Sequence, residues 1–65
     1  MTKTEQIQQA ARLWMSETDR DVAEIRLDDL LNPTAEDAIE SIAYSPVRDL
    51  VIVVQESGTV TRIPA

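Results

Sequence analysis

Five consecutive apolar residues, Leu50 to Val54 (LVIVV), constrain this chain of 65 residues more than any other feature. Side chains alternate across a strand, so Leu50, Ile52 and Val54 point one way and Val51 and Val53 the other. Both faces of such a strand are apolar, and each needs a cover. An N-terminal helix supplies one. Ile7, Ala10, Ala11, Trp14 and Met15 fall at i, i+3, i+4, i+7 and i+8, one stripe of a helix running from Thr2 to Glu17. Thr2 followed by Glu5 fits a capping box at its start. For the second face the chain offers only Leu27, Leu30 and Leu31. Failing those, a second copy must close it, which places Val51 and Val53 at an oligomer interface, most simply that of a twofold dimer. Each buried Val, Leu or Ile contributes about 1.5–3 kcal/mol, a large share of the roughly 3–5 kcal/mol that so small a core supplies.

The middle of the chain satisfies two periods at once. Val22 to Leu27 alternates, with Ala23, Ile25 and Leu27 opposite Val22, Glu24 and Arg26, and reads as a short strand followed by a helical turn over Asp28 to Leu31. Against this, Ala23, Leu27, Leu30 and Leu31 keep helical spacing, with Thr18 and Asp21 as a possible box. Asn32 and Pro33 end either element. Thr34 and Asp37 suggest a helical turn at Ala35 to Ala38, running into a strand near Ile39 to Tyr44. Strands at Leu50 to Gln55 and Thr59 to Ile63 follow, with Pro46 and Gly58 in the turns between. If residues 34–44 were helical instead, the fold would be two helices on a hairpin. The expected fold is thus α+β, a single domain 1–65. An N-terminal amphipathic helix packs on a small antiparallel β-meander of three or four strands, with a short helical turn in the middle.

Charge is unevenly spread along the chain. Residues 1–16 carry two bases and one acid, and residues 41–65 carry two of each. Residues 17–40 carry nine acids against Arg20 and Arg26, a net of −7, so the whole excess behind the formal −6 lies there. An anionic field repels nucleic acid and most membrane surfaces, since both are polyanions. It can steer a basic protein surface. The competing expectation is that these acids only solvate the chain and cap helices. Arg20 and Arg26 are expected to pair within the chain. Trp14 is expected to anchor the helix on the sheet and Tyr44 to cap the core edge, with an interface role for one of them as the alternative.

The parts list for chemistry is short. Without cysteine or histidine, disulfides, thiolate metal sites and the commonest general base are all missing. Ser16, Ser41, Ser45 and Ser57 have no histidine to activate them, and one glycine cannot build a phosphate-cradling loop. Asp19, Asp21 and Glu24 hint at a calcium loop, but Ala23 and Glu24 stand where a ligand and a glycine are required. No metal, no cofactor and no enzymatic activity are expected. The start, MTKTEQIQQ, gives no sign of a secretory signal, and five apolar residues in a row fall far short of a bilayer span. A cytoplasmic protein of bacterial or phage origin is expected.

These readings converge on a small acidic protein-binding module, an inhibitor or adaptor whose residues 17–40 meet a basic protein surface, in the manner of a nucleic-acid mimic or an antitoxin. Asp19, Asp21, Glu24, Asp28, Asp29, Glu36, Asp37 and Glu40 are the candidate partner-binding residues. Two alternatives stand beside it. One is a structural homo-oligomer whose acids have no partner role; the other is an oligomer that holds a small ligand between subunits.

Overall fold

The computed structural model describes all 65 residues. The N-terminal stripe forms helix α1, Lys3–Met15. Thr2 is its N-cap, with the Thr2 Oγ1 accepting from the Glu5 amide at 3.2 Å and donating to the Glu5 carboxylate at 3.1 Å. The box therefore closes through the hydroxyl at both contacts. At the other end the Ser16 amide donates to the Arg12 and Leu13 carbonyls, and Glu17 takes a left-handed φ of 64°, a place that glycine usually fills.

A four-residue link leads to helix α2, Arg20–Leu31. Here the expected strand over Val22 to Leu27 is wrong, and the helical turn expected at Asp28 to Leu31 is only the last turn of α2. The alternation that suggested a strand is accidental, because Ile25, supposedly inward, is 62% exposed. The helical spacing sets Ala23 and Leu27 one turn apart, and both are fully buried. Ala10, Ala11 and Ala23 are all core residues, so three methyl-sized side chains let the two helices of this αα-hairpin approach closely.

The remaining chain forms strands β1 (Ile39–Ser45), β2 (Leu50–Gln55) and β3 (Val60–Pro64), an antiparallel meander in the order β1-β2-β3. The four residues Pro46 to Asp49 join the first pair, with Asp49 left-handed at φ 54°. Glu56 to Thr59 join the second, where Gly58 has φ 91° and its amide donates to the Gln55 carbonyl at 2.9 Å. One row across the sheet, Tyr44 with Val51 and Ile63, then Ile42 with Val53 and Thr61, faces the helices. Val51, Val53 and Ile63 join Trp14, Leu27 and the three alanines in a single core.

The two faces of LVIVV are therefore treated differently. Val51 and Val53, expected at an oligomer interface, are 0% exposed beneath the chain's own helices and present nothing to a second copy. Leu50, Ile52 and Val54 stay half-buried on the opposite face, outside the core that the helices cover. The architecture has two layers, helices on one side of the sheet only.

Residues 32–38 carry no helical turn. Ala35 is left-handed at φ 59°, and Asp37 reaches across to the β2–β3 turn instead of capping a helix. Its carboxylate accepts from the Ser57 amide at 2.8 Å and the Ser57 hydroxyl at 2.6 Å. Its amide donates to the Asn32 Oδ1 at 2.8 Å. Gln55 completes this latch, with Nε2 donating to the Leu31 carbonyl at 3.2 Å and the Asp37 carbonyl at 2.9 Å. Asn32 and Gln55 are the two buried polar residues, and every buried side-chain polar atom has a partner.

Candidate protein-docking groove

A groove of about 480 Å³ runs between α2 and β1. Helix spacing builds one wall: Asp21, Glu24, Ile25 and Asp28 stand at i, i+3, i+4 and i+7, so a single stripe presents three acids around an exposed isoleucine. Ala38 and the first residues of β1, Ile39 to Ile42, build the other wall. A β-bulge makes this wall possible. The register passes from Ile39 opposite Gln55 to Ser41 opposite Val54, leaving Glu40 as the extra residue. Without it Ile39 and Ile42, three apart, would point to opposite faces of the sheet. With it, both pack toward the core, and Ile25, Ile39 and Ile42 give the groove apolar walls beneath a rim of carboxylates.

The rim has no cations of its own. Arg20 makes the one ion pair in the molecule, to Glu17 at 3.3 Å, leaving the other eleven of the twelve acids without a basic partner within 4.0 Å. Arg20 is further committed to Trp14, stacking 4.4 Å from the ring centroid and donating from Nε to the Trp14 carbonyl at 3.2 Å. The Trp14 indole donates to the Glu24 Oε1 at 3.3 Å, and Asp28 accepts from the Asn32 side chain at 3.3 Å. Each of these two rim acids keeps a second carboxylate oxygen with no protein donor. Asp28 also sits in the last turn of α2, the negative pole of the helix, where no basic residue offsets it. Like charges at i,i+3 and i,i+4, as in Asp21 with Glu24 and Glu24 with Asp28, each cost about 0.2–0.5 kcal/mol. The stripe thus works against the stability of its own helix.

Of the eight acids expected to face a partner, the fold gathers four: Asp21, Glu24, Asp28 and Glu40. Asp29 lies on the opposite flank of α2, in a cleft shared with Arg26, Gln6 and Gln9 of α1. Asp19 belongs to the interhelical link, and Glu36 is exposed on the connection to β1. Asp37 is bound into the latch. The apolar members Ile25, Ile39 and Ile42 escaped the sequence reading, although an isoleucine with acids at −4, −1 and +3 is a visible pattern once the segment is taken as helix.

Trp14 is buried in the core as expected, and Tyr44 stands at its edge with its hydroxyl donating to the Asp49 carboxylate at 2.7 Å. No group of three or more Asp or Glu converges closely enough to hold a metal ion, and no helix is long and apolar enough to cross a membrane. Comparison with known families, curated proteins and solved structures finds no match for this chain.

Proposed function

We propose that this chain is a small acidic protein-binding module, an inhibitor or adaptor, that docks a basic surface of a partner protein along the α2–β1 groove. The observation that carries this reading is the convergence of four uncompensated carboxylates, from a helix and a strand far apart in sequence, on one apolar-walled groove. A partner's Lys or Arg there would remove the like-charge penalty along α2 and bury its aliphatic stem against Ile25 and Ile42. A protein that ordinarily binds nucleic acid has a surface of this kind. The reading assigns no reaction to the chain and sets its work in the cytoplasm.

The test is capture from native extract by the wild-type chain and by a variant carrying Asp21→Asn, Glu24→Gln, Asp28→Asn and Glu40→Gln. The expected result is a basic protein retained at low ionic strength, released as the Debye length shortens to about 8 Å near physiological salt, and not retained by the variant. A complex indifferent both to salt and to the four neutralisations overturns the reading.

One observation favours a second reading, in which the chain self-associates. The open sheet face presents Leu50, Ile52, Val54 and Val60 with no acid among the residues paired across it. Two copies carrying −6 each meet there with least repulsion. Ile52→Asp should then yield one chain per particle in sedimentation, and a wild-type chain that already sediments singly at micromolar concentration sinks this reading.

A further inference from the structure

β1 is an edge strand, and its outward backbone groups have no partner. Outside the helices and the sheet ladder the chain makes eleven backbone hydrogen bonds, and none uses a residue from Glu40 to Ser45. No side chain bonds to that backbone either. Natural sheets guard such edges with short strands, proline, charged residues or bulges. β3, the other edge, has five residues and carries Arg62 and Pro64. β1 has seven residues, with neither proline nor lysine nor arginine. Its one irregularity, the bulge at Glu40, leaves Ser41 to Ser45 in regular register with β2. The longer edge, unguarded from Ser41 to Ser45, is the one that borders the acid-rimmed groove.

We infer that the groove takes an extended segment of the partner, which adds to β1 as a fourth antiparallel or parallel strand and sets alternate basic side chains against Asp21, Glu24 and Asp28. This inference rests on the docking function proposed above and specifies its mode. A strand added beside β1 lies about 4.8 Å away, on the side where α2 overhangs the sheet. Its side chains alternate between two environments. Those turned toward α2 meet Ile25 and the carboxylates, which suits Lys or Arg with an aliphatic stem. Those turned the other way emerge beside Ser41 and Ala43, small residues that leave room for an apolar side chain. Backbone bonding holds the segment, and the carboxylates choose its charge.

A second copy is a poor occupant of this edge. Pairing β1 with β1 of another chain about a twofold axis normal to the sheet would put both α2 helices on the same side. Their acidic stripes would then oppose each other, and charges of one sign placed face to face disfavour association. Charge complementarity selects a cationic segment.

The probe is a ten-residue blocked peptide of alternating lysine and valine, compared with the same peptide N-methylated at every second backbone amide. N-methylation removes the hydrogen-bonding edge and keeps the charge. Each peptide is titrated into isotopically labelled full-length protein at low ionic strength, with affinity and amide exchange read by NMR. The expected result is slowed exchange at alternate amides between Ser41 and Ser45, and affinity at least about tenfold weaker for the methylated peptide, as the loss of a few hydrogen bonds predicts. Equal affinity for both peptides, with β1 exchange unchanged, overturns strand addition and leaves acidic docking standing. If neither peptide binds, both readings fall. Protection of the same amides in the protein alone, with two chains per particle, overturns the inference in favour of self-pairing.

Discussion

Replacing Gln55 by methionine is the sharpest test of how the helical hairpin is fastened to the sheet. Gln55 is only 4% exposed, and its Nε2 donates to the Leu31 carbonyl at the end of α2 and to the Asp37 carbonyl just before β1. Methionine has nearly the same length and volume, so packing is kept and the two hydrogen bonds are lost. A buried acceptor left without its donor costs about 1–3 kcal/mol, giving roughly 2–6 kcal/mol for two. Better burial of the thioether returns about 1 kcal/mol of that. A net loss of about 3 kcal/mol is large for a domain of this length, whose whole stability is on the order of 3–10 kcal/mol. Urea unfolding followed by fluorescence of Trp14, the single tryptophan, reads the change. With a slope of about 1 kcal/mol per molar, the midpoint should fall by roughly 2–3 M. The melting temperature should drop by about 12–24 °C. A midpoint within roughly 0.5 M of wild type, a difference of about half a kcal/mol at that slope, would refute the claim that these two carbonyls depend on Gln55. Gln55→Glu sharpens the logic. An ionised carboxylate facing two carbonyl oxygens has nothing to donate, so its folded-state pKa lies above the ordinary value of about 4.3. Its stability should be fullest below that pH and be lost as pH rises through the folded-state value.

Val53→Asp should unfold the isolated chain, since an unpaired carboxylate would be placed in a fully buried position, and circular dichroism would read the loss. Ala35 is left-handed at φ 59°, so Ala35→Gly should relieve strain of about 1 kcal/mol, partly offset by the freer unfolded chain, for a net gain near 0.5 kcal/mol in urea unfolding. Tyr44 titrates above the ordinary phenol value of 10.0, first because its hydroxyl donates to Asp49 and then through desolvation and the carboxylate charge. Absorbance titration should show this, and Asp49→Asn should lower the midpoint. The contribution of that bond to stability is whole below the ordinary value and is lost as pH rises through the folded-state one.

The legible parts of this sequence are those where local and tertiary requirements coincide. α1 was readable to its cap because Thr2, Glu5 and the stripe from Ile7 to Met15 all ask for the same helix. β2 was readable to the residue, because LVIVV ends at a polar Gln55 and begins after a turn-forming Asp49. β1 and β3 came out within a residue or two of their ends. α2 was not legible, since Val22 to Leu27 satisfies both periods and the deciding contacts lie elsewhere in the chain, in α1 and in the sheet. Nor could the pattern tell which face of β2 the helices would cover, because both are apolar. The latch pairs residues 18 to 24 positions apart, and nothing local marks Gln55 or Asp37 as its members. Half of the expected acidic surface was recovered, because only a helix over residues 20–31 brings Asp21, Glu24 and Asp28 into line.

Glu40 gives the chain between Ala38 and Ile42 one residue more than the pairing of β1 with β2 uses. Deleting that one residue would leave an unbroken ladder, with Ile39 beside Ser41 and still opposite Gln55, so Ile39 would keep its inward face and the tether to α2 its side of the sheet. Removing Ser41 as well would set Ile39 next to Ile42 and turn it outward. Across natural variants of this chain, that segment should therefore appear either with the bulged residue or one residue shorter, with the same side chains turned inward in both.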